Sequence, residues 1–147
     1  MNLKELFQGV RTWPSHPGIL HGEVRAVTCD SRKAGPGSLF VAISGEKQNG
    51  HAFIPAALAR GASTCVAEKT AMLRCPAGFP LIRVENTRWI FSLLCARFHG
   101  HPSREVKLIG ITGTNGKTTT SYLVRHLFQR FAPCGLIGTI RIEVGSQ

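Results

Sequence analysis

The sequence predicts an α/β chain in two parts. A small N-terminal α/β domain over residues 1–85 is followed over residues 86–147 by the start of a phosphate-loop, parallel-sheet ATPase domain that breaks off incomplete. Three observations carry this expectation. Short apolar runs alternate with helical patterns up to residue 84, as an α/β unit requires. A glycine-rich loop at residues 110–120 stands between a strand-like run and an amphipathic one. After Lys117 there is room for one helix and one strand, whereas such an ATPase domain needs several strands covered on both faces.

The elements follow in order. Asn2 is placed to cap a first helix whose apolar residues Leu3, Leu6, Phe7 and Val10 share a face. Trp13-Pro14-Ser15-His16-Pro17-Gly18 reads as the turn that ends it. Residues 24–28 alternate like a half-buried strand, residues 33–38 make a glycine-proline turn, and residues 39–43 read as a strand buried on both faces. A polar loop over residues 44–50 leads to a short helix at 53–60, with Pro55 in its first turn and Gly61 as its C-cap. Residues 64–67 and 81–84 are two further strands, separated by a loop. Asn86 is expected to cap a helix through Phe98, with Trp89, Ile90, Leu93 and Leu94 on its apolar side. His99 and His101 close that helix in a turn, where no other metal-ligating residue lies near in sequence.

The loop Gly110-Ile111-Thr112-Gly113-Thr114-Asn115-Gly116-Lys117-Thr118-Thr119-Thr120 is where the chemistry concentrates. Residues 106–109 read as a buried strand before it; Val124, Leu127, Phe128 and Phe131 recur at helical spacing after it. Strand, glycine loop, helix is the context in which Gly-Lys-Thr binds nucleotide phosphates. Glycines let the backbone approach the phosphates, and consecutive N–H groups at a helix N-terminus form an anion nest. Lys117 is then the residue that reaches the β- and γ-phosphates, and the Thr118 hydroxyl the one that meets Mg²⁺. The strict pattern places a glycine five residues before Gly116; this chain has Ile111 there, with glycines at 110 and 113 instead.

Composition narrows the alternatives. An apolar share of 43% over 147 residues is that of a globular chain. No run approaches the ~20 apolar residues of a membrane span, and Met-Asn-Leu-Lys-Glu-Leu-Phe has no signal-peptide core, so the cytoplasm is expected, with no membrane partner. Five cysteines, 29, 65, 75, 95 and 134, lie far apart with no C-x-x-C pair, which suits reduced structural thiols. The net charge of +10 raises a nucleic-acid partner, but Lys and Arg are scattered singly and no RNA-binding aromatic signature is present. A diffuse positive field serves any polyanion, nucleotides included. No nucleic-acid partner is therefore expected.

Thr112 to Thr120 resembles the ATP loop of the Mur ligases of bacterial peptidoglycan synthesis, which share its glycine spacing. Asp30-Ser31-Arg32-Lys33 followed by Pro36-Gly37-Ser38-Leu39-Phe40-Val41-Ala42 is similar to the N-terminal domain with which that family holds a uridine nucleotide. Arg97-Phe98-His99-Gly100-His101-Pro102-Ser103 and Gly135-Leu136-Ile137-Gly138-Thr139 most resemble the diamino-acid-adding, MurE-type branch. The MurF-type branch shares Asp-Ser-Arg but usually carries Ser at the position of Thr114.

The resemblance implies a set of site residues. ATP would be held by Gly113, Thr114, Asn115, Gly116, Lys117, Thr118 and Thr119, with Lys117 catalytic and Thr118 on Mg²⁺. UDP-MurNAc would be held by Cys29 and Ser31 and by a second loop, Glu46-Lys47-Gln48. Cys29 departs from the larger apolar residue usual there, though a thiol still packs on a ring. It further implies an amide ligase that adds meso-diaminopimelate or L-lysine to UDP-MurNAc-L-Ala-D-Glu through an acyl phosphate, with ATP and Mg²⁺. The modified lysine and the amino-acid-selecting motif of such ligases lie beyond residue 147, so the piece is expected to be inert alone. A monomer is expected. Three other readings stand beside this one: a MurF-type ligase, a non-catalytic UDP-sugar module, and a basic nucleic-acid binder whose affinity would fall steeply with salt.

Overall fold

A computed structural model describes residues 1–45, 48–73 and 78–145. The chain divides into two compact units, Met1–Val106 and Lys107–Gln147.

The first unit is built on a five-stranded sheet. In chain order its elements are α1 (Leu3–Leu6), β1 (Trp13–Pro14), β2 (Ala26–Thr28), β3 (Ser38–Val41), α2 (Ile54–Ala59), β4 (Thr64–Glu68), β5 (Leu81–Val84) and α3 (Thr87–Phe98). The strand order is β1-β5-β4-β3-β2. β2 to β5 are parallel, and β1 closes one edge antiparallel to β5, with Trp13 opposite Arg83. Parallel strands need both faces covered, and the period of two along each strand sends alternate residues to opposite sides. Leu39, Val41, Val66, Ile82 and Val84 pack with Leu3 and Leu6 of α1 and with Ile90 and Leu94 of α3. Phe40, Cys65, Ala67 and Leu81 face the other way, against Ile54 and Ala57 of α2. Helix, sheet and helix thus form three layers.

The local signals act as anticipated. The Asn2 side chain accepts from the Lys4 N–H at 2.8 Å and starts α1. The Asn86 side chain accepts from the Trp89 N–H at 2.8 Å and starts α3. Gly61, at φ +98°, follows α2 in a conformation that a side chain would strain. Three expectations need correction. Trp13-Pro14 is an edge strand, not only a turn; proline is tolerated there because an edge strand need not donate on its outer side. The helix at 87–98 packs on the first sheet, and the first compact unit runs to Val106, past the expected boundary at residue 85. Its Arg97 Nη1 also donates to the Leu6 carbonyl at 2.6 Å, tying α3 to α1. Trp89 lies off the buried stripe, 60% exposed.

The second unit holds α4 (Lys117–Phe128) and the strands β6 (Leu136–Ile137) and β7 (Ile142–Glu143), which pair antiparallel. Arg125 of α4 and Arg141 both pair with Glu143. Residues 106–109, expected to be a buried strand, are neither: Leu108 is 72% exposed and no strand is assigned there. A strand exists through its partners' hydrogen bonds, and among the described residues none runs beside this segment. Among the described residues no helix is long and apolar enough to cross a membrane.

Candidate functional site

In the second unit the glycine loop and the start of α4 form one feature. Gly116 is the N-cap of α4 in the left-handed region, φ 75°, and Gly113 sits at φ 149°. Both are glycine conformations, and a Cβ built on Gly116 would meet nothing within 4 Å, so the concave side of the turn is open. The first intrahelical bond here runs from the Thr120 N–H to the Gly116 carbonyl, 2.9 Å. The amides of Lys117, Thr118 and Thr119 lie ahead of it, without intrahelical acceptors, at the positive end of the helix dipole. The Lys117 ammonium folds back on its own loop, donating to the carbonyls of Gly113 at 2.7 Å and Thr114 at 3.4 Å. Thr114, Asn115, Thr118 and Thr119 are all exposed. The arrangement suits a polyphosphate: open amides, a long-stemmed cation and a hard hydroxyl oxygen gathered on one helix start.

In the first unit the parallel strands bring their carboxyl ends to one edge, where open α/β sheets bind ligands. The turn after β2 is fixed by Asp30. Its Oδ1 accepts from the Arg32 N–H at 3.0 Å, capping a 3-10 turn at Ser31–Lys33. The Arg32 guanidinium grips the same carboxylate with Nε at 2.9 Å and Nη2 at 2.8 Å. These bonds hold the Asp30 carboxyl down to about 2. The turn presents Cys29, which is exposed, and Ser31, half-buried as the first residue of the 3-10 turn. Burial pushes the Cys95 thiol on α3 up, with a smaller contribution from Cys29.

The loop after β3 reaches the same edge. Ser44 and Asn49 form an antiparallel bridge, the Gly45 N–H donates to the Gln48 carbonyl at 2.9 Å, and the Gly50 N–H to the Ile43 carbonyl at 3.0 Å. Gln48 is exposed; Glu46 and Lys47, the other two expected contacts, lie outside the described residues. Gly50 permits the close return of the chain. A Cβ there would lie 2.4 Å from the Ile43 carbonyl oxygen and 2.8 Å from its nitrogen, both backbone atoms that cannot swing aside. Gly50→Ala should therefore force this loop open, costing about 1–3 kcal/mol as other overpacked substitutions do. A fall in Tm on the order of 10 °C checks it; an unchanged Tm would show that the loop is not held as described.

Residues that the sequence reading passed over complete this edge. His51 is buried at 6% exposure under the loop. Its Nδ1 lies 2.7 Å from Asn49 Oδ1, and its Nε2 accepts from the Glu68 N–H at 3.1 Å. Since Nε2 accepts, Nδ1 carries the proton and donates to Asn49. Burial lowers the His51 pKa, with Arg83 adding to that and Glu68 opposing it. Thr87 at the start of α3, fully buried, donates to Glu68 Oε1 at 3.2 Å, and Arg88 Nη2 donates to the Ser44 carbonyl at 3.3 Å. The only signal in the sequence was a histidine directly after a polar loop.

Residues 23–99 match the family described as "Mur ligase family, catalytic domain", and residues 111–147 match "Mur ligase middle domain". The chain is 42% identical over 136 residues to the UDP-N-acetylmuramyl-tripeptide synthetase of Roseiflexus sp. (strain RS-1), covering 91% of this chain and 26% of that protein. It is 43% identical over 131 residues to the UDP-N-acetylmuramoyl-L-alanyl-D-glutamate--2,6-diaminopimelate ligase of Geobacter sulfurreducens, covering 88% of this chain and 25% of that protein. The crystal structure of MurF from Acinetobacter baumannii superposes with a TM-score of 0.68 at 27% identity, over 90% of this chain and 28% of that one. The chain thus spans about a quarter of the length of the relatives it matches. With one family description covering β2 to β5 and α3, and a second covering the glycine loop from Ile111 and α4, the chain belongs to the Mur ligase family.

Proposed function

We propose that this chain is the uridine-nucleotide and ATP-loop portion of a MurE-type ligase, an enzyme joining meso-diaminopimelate or L-lysine to UDP-MurNAc-L-Ala-D-Glu. The observation that carries the reading is its 42–43% identity to tripeptide-forming and diaminopimelate-adding ligases across both units. The glycine loop at the start of α4 supplies the chemistry such a ligase needs. The substrate carboxylate would take the γ-phosphoryl group of ATP, with ADP leaving, and the incoming amine would attack the resulting acyl phosphate, expelling phosphate and losing a proton to give the amide. The open amides of residues 117–119 hold the phosphates, and Lys117 leaves its loop carbonyls to meet the oxygens that gain charge during transfer. Mg²⁺, when bound, would offset phosphate charge, and the Thr118 hydroxyl is the ligand this chain would offer it. At the edge of the first sheet, Cys29, Ser31 and Gln48 face the uridine nucleotide. The setting is the cytoplasm, and the acting unit is a single chain.

A thermal-shift titration of this chain with UDP-MurNAc-L-Ala-D-Glu tests the reading. At about a hundred times Kd the nucleotide should add roughly 2.7 kcal/mol to the first unit. A folded chain that gives no shift would remove the uridine site. A MurF-type ligase is the second reading, since the chain superposes on MurF as well as on a diaminopimelate-adding ligase, each with a TM-score of 0.68. It predicts that the nucleotide carrying the completed tripeptide binds better than the dipeptide form, since the MurF-type enzyme acts one step later, adding D-alanyl-D-alanine.

A further inference from the structure

The loop that carries Gln48 does not stand alone: a line of partly buried hydrogen bonds runs from it through the sheet edge to α3. Asn49 Oδ1 accepts from both the His51 N–H, at 3.1 Å, and His51 Nδ1, at 2.7 Å. His51 Nε2 accepts from the Glu68 N–H at the end of β4, and Glu68 Oε1 accepts from Thr87 at the first turn of α3. Both imidazole nitrogens are committed, in one tautomer and with one ring orientation. We propose that His51 is a positioning residue for nucleotide recognition, fixing Asn49, and with it the adjoining Gln48, against β4 and α3 at the same sheet edge as the Cys29–Ser31 turn. This rests on the uridine-nucleotide reading above.

The position of the ring explains why a histidine serves here. One side must donate to Asn49 and the other must accept from a backbone N–H, two demands that a neutral imidazole meets with a single ring. An apolar residue of the same volume would leave the Glu68 N–H buried without an acceptor. Protonation of Nε2 would do the same and add a buried charge. The charged groups facing the ring are Glu68 and Arg83, which act in opposite directions. Loop order is therefore tied to the neutral imidazole and is lost as the solution becomes acidic.

The test is calorimetric titration of UDP-MurNAc-L-Ala-D-Glu into this chain, well below its Tm. That ligand's diphosphate is a diester and stays fully ionised across the range used. Asn49→Ala, on the exposed loop, should raise Kd about tenfold for the loss of one bonded anchor, and Asn49→Asp, which keeps the acceptor, should stay near the wild-type value. His51→Gln keeps an acceptor for the Glu68 N–H and should show a raised but pH-independent Kd. Because burial lowers the His51 pKa, the wild-type Kd should hold through the ordinary imidazole range and rise only as the pH falls below it. Asn49→Ala and His51→Gln chains that bind as tightly as wild type, or a wild-type Kd flat in pH, would overturn the positioning role. A wild-type chain that does not bind the nucleotide at all fails differently: it removes the uridine reading itself, and this role with it.

Discussion

Lys117→Ala should lower the rate of a full-length ligase carrying this segment by about 10²–10³, the scale on which one preorganised charge-stabilising donor acts. The side chain costs the fold little to remove. It is exposed at the start of α4, and its contacts are to the Gly113 and Thr114 carbonyls of its own loop. An exposed charge of this kind contributes at most about 1 kcal/mol to stability. The same loop carbonyls that hold the ammonium without nucleotide are neutral and weak competitors for the phosphate oxygens. Lys117→Arg should recover little, since a planar guanidinium on a different reach cannot replace a compact ammonium. Steady-state assays of ADP release, with far-UV circular dichroism as the control, check this. A variant with native Tm and near-native kcat would mean the phosphoryl charge is met elsewhere.

The contrast between the two parts of the chain shows what a sequence discloses. The glycine turn at Gly116 and the helix start at Lys117 were legible because both are local, set by residues next to one another in the chain. The caps Asn2 and Asn86 were legible for the same reason, each bonding an amide two or three residues on. His51 was not, since nothing within its neighbourhood of sequence says that Glu68 and Thr87, on β4 and α3, come to meet it. Trp13-Pro14 carries turn residues, yet β5, some seventy residues later in the chain, makes it a strand. Residues 106–109 show the converse. Their apolar run specifies a strand only when other strands lie beside it, and here Leu108 and Ile109 remain exposed at 72% and 59%.

The helix α3 marks where the first unit ends, and cutting the chain there should have an effect of the same order as its whole stability. A fragment ending at residue 85 would lack Ile90 and Leu94, buried at 2% and 0% exposure against Leu39, Val41, Val66 and Val84. Burial of each such side chain is worth about 1.5–3 kcal/mol. The loss does not stop at those two residues. One face of a parallel sheet would be opened to water, the Thr87 anchor of Glu68 would go, and α1 would lose the Arg97 bond to Leu6. Against a net stability of roughly 5–15 kcal/mol for a domain, this is enough to abolish folding. A fragment ending at residue 106 keeps all of these contacts and should melt cooperatively. Leu94→Ala in that longer fragment should fall between, destabilised by about 2–5 kcal/mol. Urea melts of the three proteins, followed by circular dichroism, rank them. Should the fragment of residues 1–85 unfold with the same midpoint as that of residues 1–106, α3 would be a passenger on the sheet, and the first unit would end where the strands do.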